Sequence, residues 1–182
     1  MKKTLVALIA GATLLSMAAC SSTRTQRAPG EQVDDAALLT SVKSALVKDS
    51  STEARDINVD VNRGVVKLSG FVDTQEDKSA AAKVARSVDG VQSVQNDIAV
   101  KKGESSTTGE KIDDSILTAK VKAALIENSD TKAHQINVET HQGVVQLSGF
   151  VDDAKAKAAA ASVAGSVTGV KSVKNELSVK SY

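Results

Sequence analysis

From Leu38 onward the apolar residues Leu38, Val42, Ala45 and Leu46 recur at helical spacing. The period then drops to two: Ile57, Val59 and Val61 alternate with Asn58 and Asp60, the pattern of a half-buried strand. Asn62-Arg63-Gly64 supplies a turn, because glycine takes positive φ freely, and Val65 to Val72 reads as the returning strand of a hairpin. Gly70 inside that strand suggests a bulge or the close approach of a helix. Asp73 starts a second helix with a buried stripe of Ala81, Val84, Ala85 and Val88, and Gly90 is its expected C-cap. Val94, Asn96, Ile98 and Val100 alternate as a third strand. Asp34 and Asp35 precede the first helix. They read as N-cap and first-turn residues, whose carboxylates accept orphan N–H groups, rather than as a catalytic pair.

The whole pattern occurs twice. INVDVNRGVVKLSGFVD from Ile57 returns as INVETHQGVVQLSGFVD from Ile136, and the match runs without a gap from Asp34–Lys101 onto Asp113–Lys180. Leu117, Val121, Ala124 and Leu125 repeat the first helix, His141-Gln142-Gly143 repeats the turn, and Gly149 repeats Gly70. A unit of this length is too long for a solenoid repeat and is the size of a small domain. Each unit reads helix, strand, strand, helix, strand. The hairpin is antiparallel, and the crossover through a helix favours parallel pairing of the last strand. The expected fold class is therefore α+β: two tandem αββαβ two-layer sandwiches, each with two helices on a three-stranded mixed sheet.

The segments between and before the units differ in kind. Lys2 and Lys3 followed by the apolar run Leu5–Leu15 read as an export signal, too short to span a bilayer. Ala18-Ala19-Cys20 resembles a bacterial lipobox, with Met17 in the place usually held by leucine. The alternative is an ordinary secretory signal, whose cleavage site wants a small residue where Met17 stands. The reading is a lipoprotein signal peptide over 1–19 and lipid attachment at Cys20. A flexible tether follows over 20–33, then the first unit at 34–101, a Gly/Ser/Thr-rich linker at 102–112 and the second unit at 113–180.

Composition narrows the function. Net charge is +1 over 182 residues, and the aromatics are Phe71, Phe150 and Tyr182, so a nucleic-acid partner is not expected. One cysteine excludes an intramolecular disulfide. His134 and His141 form no metal-ligand spacing, and His141 falls in a predicted turn as an exposed polar residue. The glycines do not form a phosphate loop. The sequence predicts no catalytic residues, no metal, no cofactor beyond covalent lipid on Cys20, and no enzyme.

The run GVVxLSGxVD, an Ala-rich helix and then GVxSVxN, at Gly64–Asp73 with Gly90–Asn96 and again at Gly143–Asp152 with Gly169–Asn175, resembles the BON domain. That resemblance covers both units. It implies an αββαβ fold, a location in the bacterial envelope, and roles in stress tolerance and membrane integrity. It implies binding of phospholipid by some members and assistance to periplasmic proteins by others. It carries no catalytic motif.

The two copies differ where one could have acquired a binding face. Ala37, Ser41 and Ser44 of the first helix become Ile116, Lys120 and Ala123, and Gln92 and Gln95 become Lys171 and Lys174. These five second-unit residues are the candidate face for an anionic phospholipid membrane or an envelope protein. The alternative is that Ile116 only widens the buried stripe and the lysines are solvated. The expectation is a lipid-anchored periplasmic protein, at the inner face of the outer membrane, that maintains the envelope by membrane contact. The rival reading is a chaperone or adaptor for envelope proteins.

Overall fold

The computed structural model describes residues 29–50, 52, 56–101, 108–131 and 135–180. Cys20, the signal segment and His134 lie outside the described residues. Unit one comprises α1 (Pro29–Lys48), β1 (Ile57–Asn62), β2 (Val65–Val72), α2 (Gln75–Arg86), β3 (Ser93–Asn96) and β4 (Ala99–Val100). Unit two comprises α3 (Thr108–Glu127), β5 (Ile136–His141), β6 (Val144–Val151), α4 (Ala154–Ser166) and β7 (Ser172–Val179). The first helix of each unit thus begins earlier than the apolar period indicated, inside the stretches read as tether and linker.

In each unit the first hairpin is antiparallel and the strand after the crossover helix pairs in parallel with the hairpin's second strand. Ile57 faces Gly70 across β1–β2, Val66 faces Val94 across β2–β3, and unit two repeats both pairings at Ile136–Gly149 and Val145–Val173. One core is built from Val42, Leu46, Val66, Leu68, Val72, Ala81, Ala85 and Ile98, the other from their counterparts. Small alanines on α2 and α4 let these helices lie close against the sheets. Asn96 and Asn175 tie strand to helix, each donating to a helix carbonyl, Lys78 at 2.8 Å and Lys157 at 2.9 Å.

The third strand of unit one is broken, unlike β7. At the break, Lys67 donates to the Asp97 carboxylate, and the Asp97 carbonyl accepts from Gln146 of unit two at 2.7 Å. This contact belongs to a larger one. The sheet faces opposite the helices pack on each other, so β2 is buried on both sides. The hydroxyls of Ser69 and Ser148, at equivalent places in the two copies, lie 2.6 Å apart and mark a local pseudo-two-fold axis. Asn58 donates to Glu139 at 3.1 Å, and reciprocally Asn137 donates to both oxygens of Asp60 at 2.8 Å. The symmetry fails where the copies differ. Lys67 reaches Ser178 at 3.2 Å, whereas its counterpart Gln146 accepts from the Gly70 amide at 2.7 Å. Phe71 is held between the rings and charges of unit two: His141 at 5.4 Å between centroids and Lys174 at 6.0 Å.

Five local readings need correction. Asp34 and Asp35 do not cap a helix start; α1 already runs through them, as α3 runs through Asp113 and Asp114. The N-cap of α2 is Thr74, in a capping box with Asp77, and Asp73 instead pairs with Lys101 at 2.9 Å. The C-cap is Ser87, and Gly90 sits beyond it in the following turn with φ 91°. His141 is no exposed turn residue; it ends β5 and packs against Phe71. Gly70 and Gly149 do mark a close approach, but of backbone rather than helix. At φ 119° and 118°, a Cβ would lie 2.0 Å from the Asp56 carbonyl oxygen and 2.3 Å from that of Gln135.

This clash makes a test. Gly149→Ala combines positive-φ strain with a backbone collision and should lower stability by about 2 kcal/mol, read from the urea midpoint. An unchanged midpoint would show that the strand start moves aside freely.

Candidate functional site

Each unit presents a groove between its first helix and its hairpin turn, and a carboxylate holds that turn in place. Asp114 accepts from the amides of Gln142 (2.7 Å) and Gly143 (2.8 Å); Asp35 does the same for Arg63 (2.8 Å) and Gly64 (3.0 Å). Both central residues of each turn have positive φ, the geometry of a type I′ hairpin. A side chain from a helix therefore stabilises a turn that is costly for arginine or glutamine. At the other end of the same helices, Thr52 and Thr131 donate to the carbonyls of Leu46 and Leu125, closing the last turn.

The groove of unit two has a volume of about 360 Å³ and is lined by Ile116, Lys120, Lys171, Asp113 and Gly143, among others. Three of the five residues singled out from the sequence thus come together. The matching groove of unit one, about 670 Å³, has Ala37, Ser41 and Gln92 at those places and Asp89 where unit two has Thr168. Ala123 lies outside the groove on the exposed face of α3. Lys174 does not join them; it stands on the opposite sheet face, over Phe71.

Ile116 is 49% exposed, so it does not widen the core stripe. It begins an exposed apolar row on α3 at helical spacing: Ile116, Ala119, Ala123 and Ile126, the last 73% exposed. Ala119 and Ile126 were not among the residues singled out from the sequence; the signal that finds them is the continuation of the Ile116–Ala123 spacing by one turn. The same row on α1 is Ala37, Thr40, Ser44 and Val47. There Thr40 and the neighbouring Ser41 fold their hydroxyls back onto the carbonyls of Ala36 and Ala37 at 3.0 Å.

Between the units lies a third cleft of about 600 Å³, walled by Asp56, Asp73 and Lys101 of unit one and by Lys111, Lys122 and His141 of unit two. Burial works to lower the Lys101 pKa, but its hydrogen bonds to Asp73 and Asp56 prevail and raise it. Burial dominates at His141 and lowers its pKa. Among the described residues, no group of histidine, cysteine and carboxylate side chains could hold a metal, and no helix is long and apolar enough to cross a membrane.

A duplicated α+β sandwich with this hairpin, crossover and turn carboxylate defines one class of protein. The BON domain matches residues 34–102 and again 113–181, and the chain belongs to the BON-domain family. It is 40% identical over 151 residues to osmotically-inducible protein Y of Escherichia coli, covering 83% of this chain and 75% of that one. It is 38% identical over 149 residues to a 21 kDa hemolysin of Actinobacillus pleuropneumoniae (81% and 75% covered). It is 34% identical over 148 residues to the outer membrane lipoprotein DolP of Haemophilus influenzae (81% and 75%).

The turn carboxylate is testable alone. Asp114→Ala leaves two amides without their charged acceptor and should cost about 1–3 kcal/mol, seen as a lower urea midpoint. Asp34→Ala, on an exposed side chain, should change it by less than about 0.5 kcal/mol.

Proposed function

We propose that this is an envelope protein that docks on phospholipid membrane through the outward face of α3 in its second unit. The observation that carries the reading is the exposed row Ile116, Ala119, Ala123 and Ile126. It interrupts a helix surface that the first copy keeps more polar. Lys120 lies beside the row on the groove side, with Lys171 across the groove, and Lys122 flanks it on the other side. Each lysine held near an anionic surface contributes about 1 kcal/mol, and less as salt rises. Isoleucines and alanines are too few for deep insertion, so the face suits shallow contact with the headgroup boundary.

Attachment itself belongs to Cys20 in this reading. Its lipobox-like setting supports a lipid anchor, and a lipoprotein of the outer membrane is among the chain's relatives. With the anchor holding the protein at the membrane, the α3 face sets orientation and lipid preference. A relative named for osmotic induction supports a role in envelope maintenance under stress.

The test is flotation of the unacylated mature chain with phosphatidylcholine vesicles, with and without phosphatidylglycerol. Weak binding is expected to the anionic vesicles only, falling at high salt. Ile116→Ser with Ile126→Ser should remove it with little change in melting temperature, since both side chains are exposed. Binding that survives the double substitution, or no binding by the parent chain, would favour a protein ligand instead.

A further inference from the structure

The bonds that join the units run from sheet to sheet. Ser69 meets Ser148 at 2.6 Å, the Gly70 amide donates to Gln146 at 2.7 Å, and Gln146 donates in turn to the Asp97 carbonyl at 2.7 Å. Asn58 and Asn137 reach Glu139 and Asp60 reciprocally. None of these bonds depends on its two ends sharing a chain. They are polar, so the face can open: water takes up each amide, hydroxyl and carboxylate that is released. β4 ends at Val100 and α3 begins at Thr108, and a connection of that length holds two units at an effective concentration on the order of millimolar. A second chain competes for the face as its own concentration nears that value. We propose that the buried sheet face is also an intermolecular site, where unit one of one chain docks on unit two of a second copy and the two chains exchange halves into a two-fold dimer.

The partner is specified by where the copies differ. A pair of first units would bury Lys67 twice in one contact. It would lack the Gln146 amide, and Ala99 would stand where Lys67 now reaches the Ser178 hydroxyl at 3.2 Å. A pair of second units would lose the Asp97 carbonyl, which stands at the break between β3 and β4; β7 runs unbroken through the equivalent place. Unlike faces keep every bond. Exchange therefore joins unit one to unit two, and two such contacts close the dimer about a two-fold axis. An exchanged dimer carries two α3 faces. In the membrane reading above that doubles the contact available, but the pairing rests on the sheet faces alone and is measured without lipid.

Two unacylated chains test this, one with Ser69→Arg and one with Ser148→Arg. Each carries a guanidinium in place of a buried hydroxyl and so cannot dock its own units. Each should sediment alone as a monomer. An equimolar mixture should give a 1:1 dimer, because the intact second unit of the first chain meets the intact first unit of the other. In an isotope-labelled Ser148→Arg chain, hydrogen-exchange protection of the Gly70 amide should rise about tenfold or more when the Ser69→Arg chain is added. The Gln92 amide, bonded to Gly64 within unit one, should hold its protection throughout. Adding Gln146→Lys to the Ser69→Arg chain should abolish both effects. A mixture that stays monomeric while Gln92 remains protected would overturn the proposal, as would equal self-association of either variant alone. If an arginine unfolds its unit, the parent chain decides: it should pass from monomer to dimer as its concentration approaches ~1 mM, and sedimentation as a monomer throughout refutes exchange.

Discussion

The packing of one sheet face on the other governs this molecule. In an isolated αββαβ sandwich the face away from the helices meets water. Here it carries Lys67, Ser69 and Phe71, all at most 8% exposed. A buried lysine or serine is costly unless each polar atom is matched. The other copy supplies Ser148 for Ser69 and Gln146 for the Gly70 amide, while Lys67 pairs with Asp97 of its own unit and reaches Ser178 of the other. An interface of this kind depends on registry more than on apolar area, so it specifies one arrangement without being strongly adhesive.

Duplication explains why such registry is available. Two copies of one face meet about a local two-fold axis, so Asn58 and Asn137 each find an acidic partner at the reciprocal place. Divergence then works around that frame. Gln146 in place of lysine avoids opposing two buried cations and engages the broken edge of unit one at Asp97. His141 and Lys174 convert one end of the interface into a setting for Phe71.

The outward surfaces diverged in the other direction. The first helices share their buried residues and their turn-holding aspartates, and these constraints leave the outer rows free to change. On α3 the outer row is apolar; on α1 it is mostly small and polar. The Lys111 and Lys122 edge of α3 faces unit one across the cleft, and the apolar row is turned away from it to the outside. Sheet packing and surface chemistry therefore act together: the first orients the helix, and the second decides what it meets.

Periodicity determined the element order, the hairpins and the parallel crossover, because each depends on contacts local in sequence or repeated in both copies; the family followed from the resemblance of the GVVxLSGxVD and GVxSVxN runs. It also located Ile116, Lys120 and Lys171 by comparing the copies. Local pattern failed where a side chain acts at long range. Asp35 and Asp114 looked like helix caps because carboxylates near a helix start commonly are, yet they span to a turn 28 residues away. Gly70 and Gly149 revealed a need for space but not that a carbonyl fills it. Lys67, Ser69 and Phe71 share the face of β2 that turns away from the helices. Only the tertiary structure shows that this side is covered, since a strand's period assigns a residue to a face but carries no information about what packs on that face.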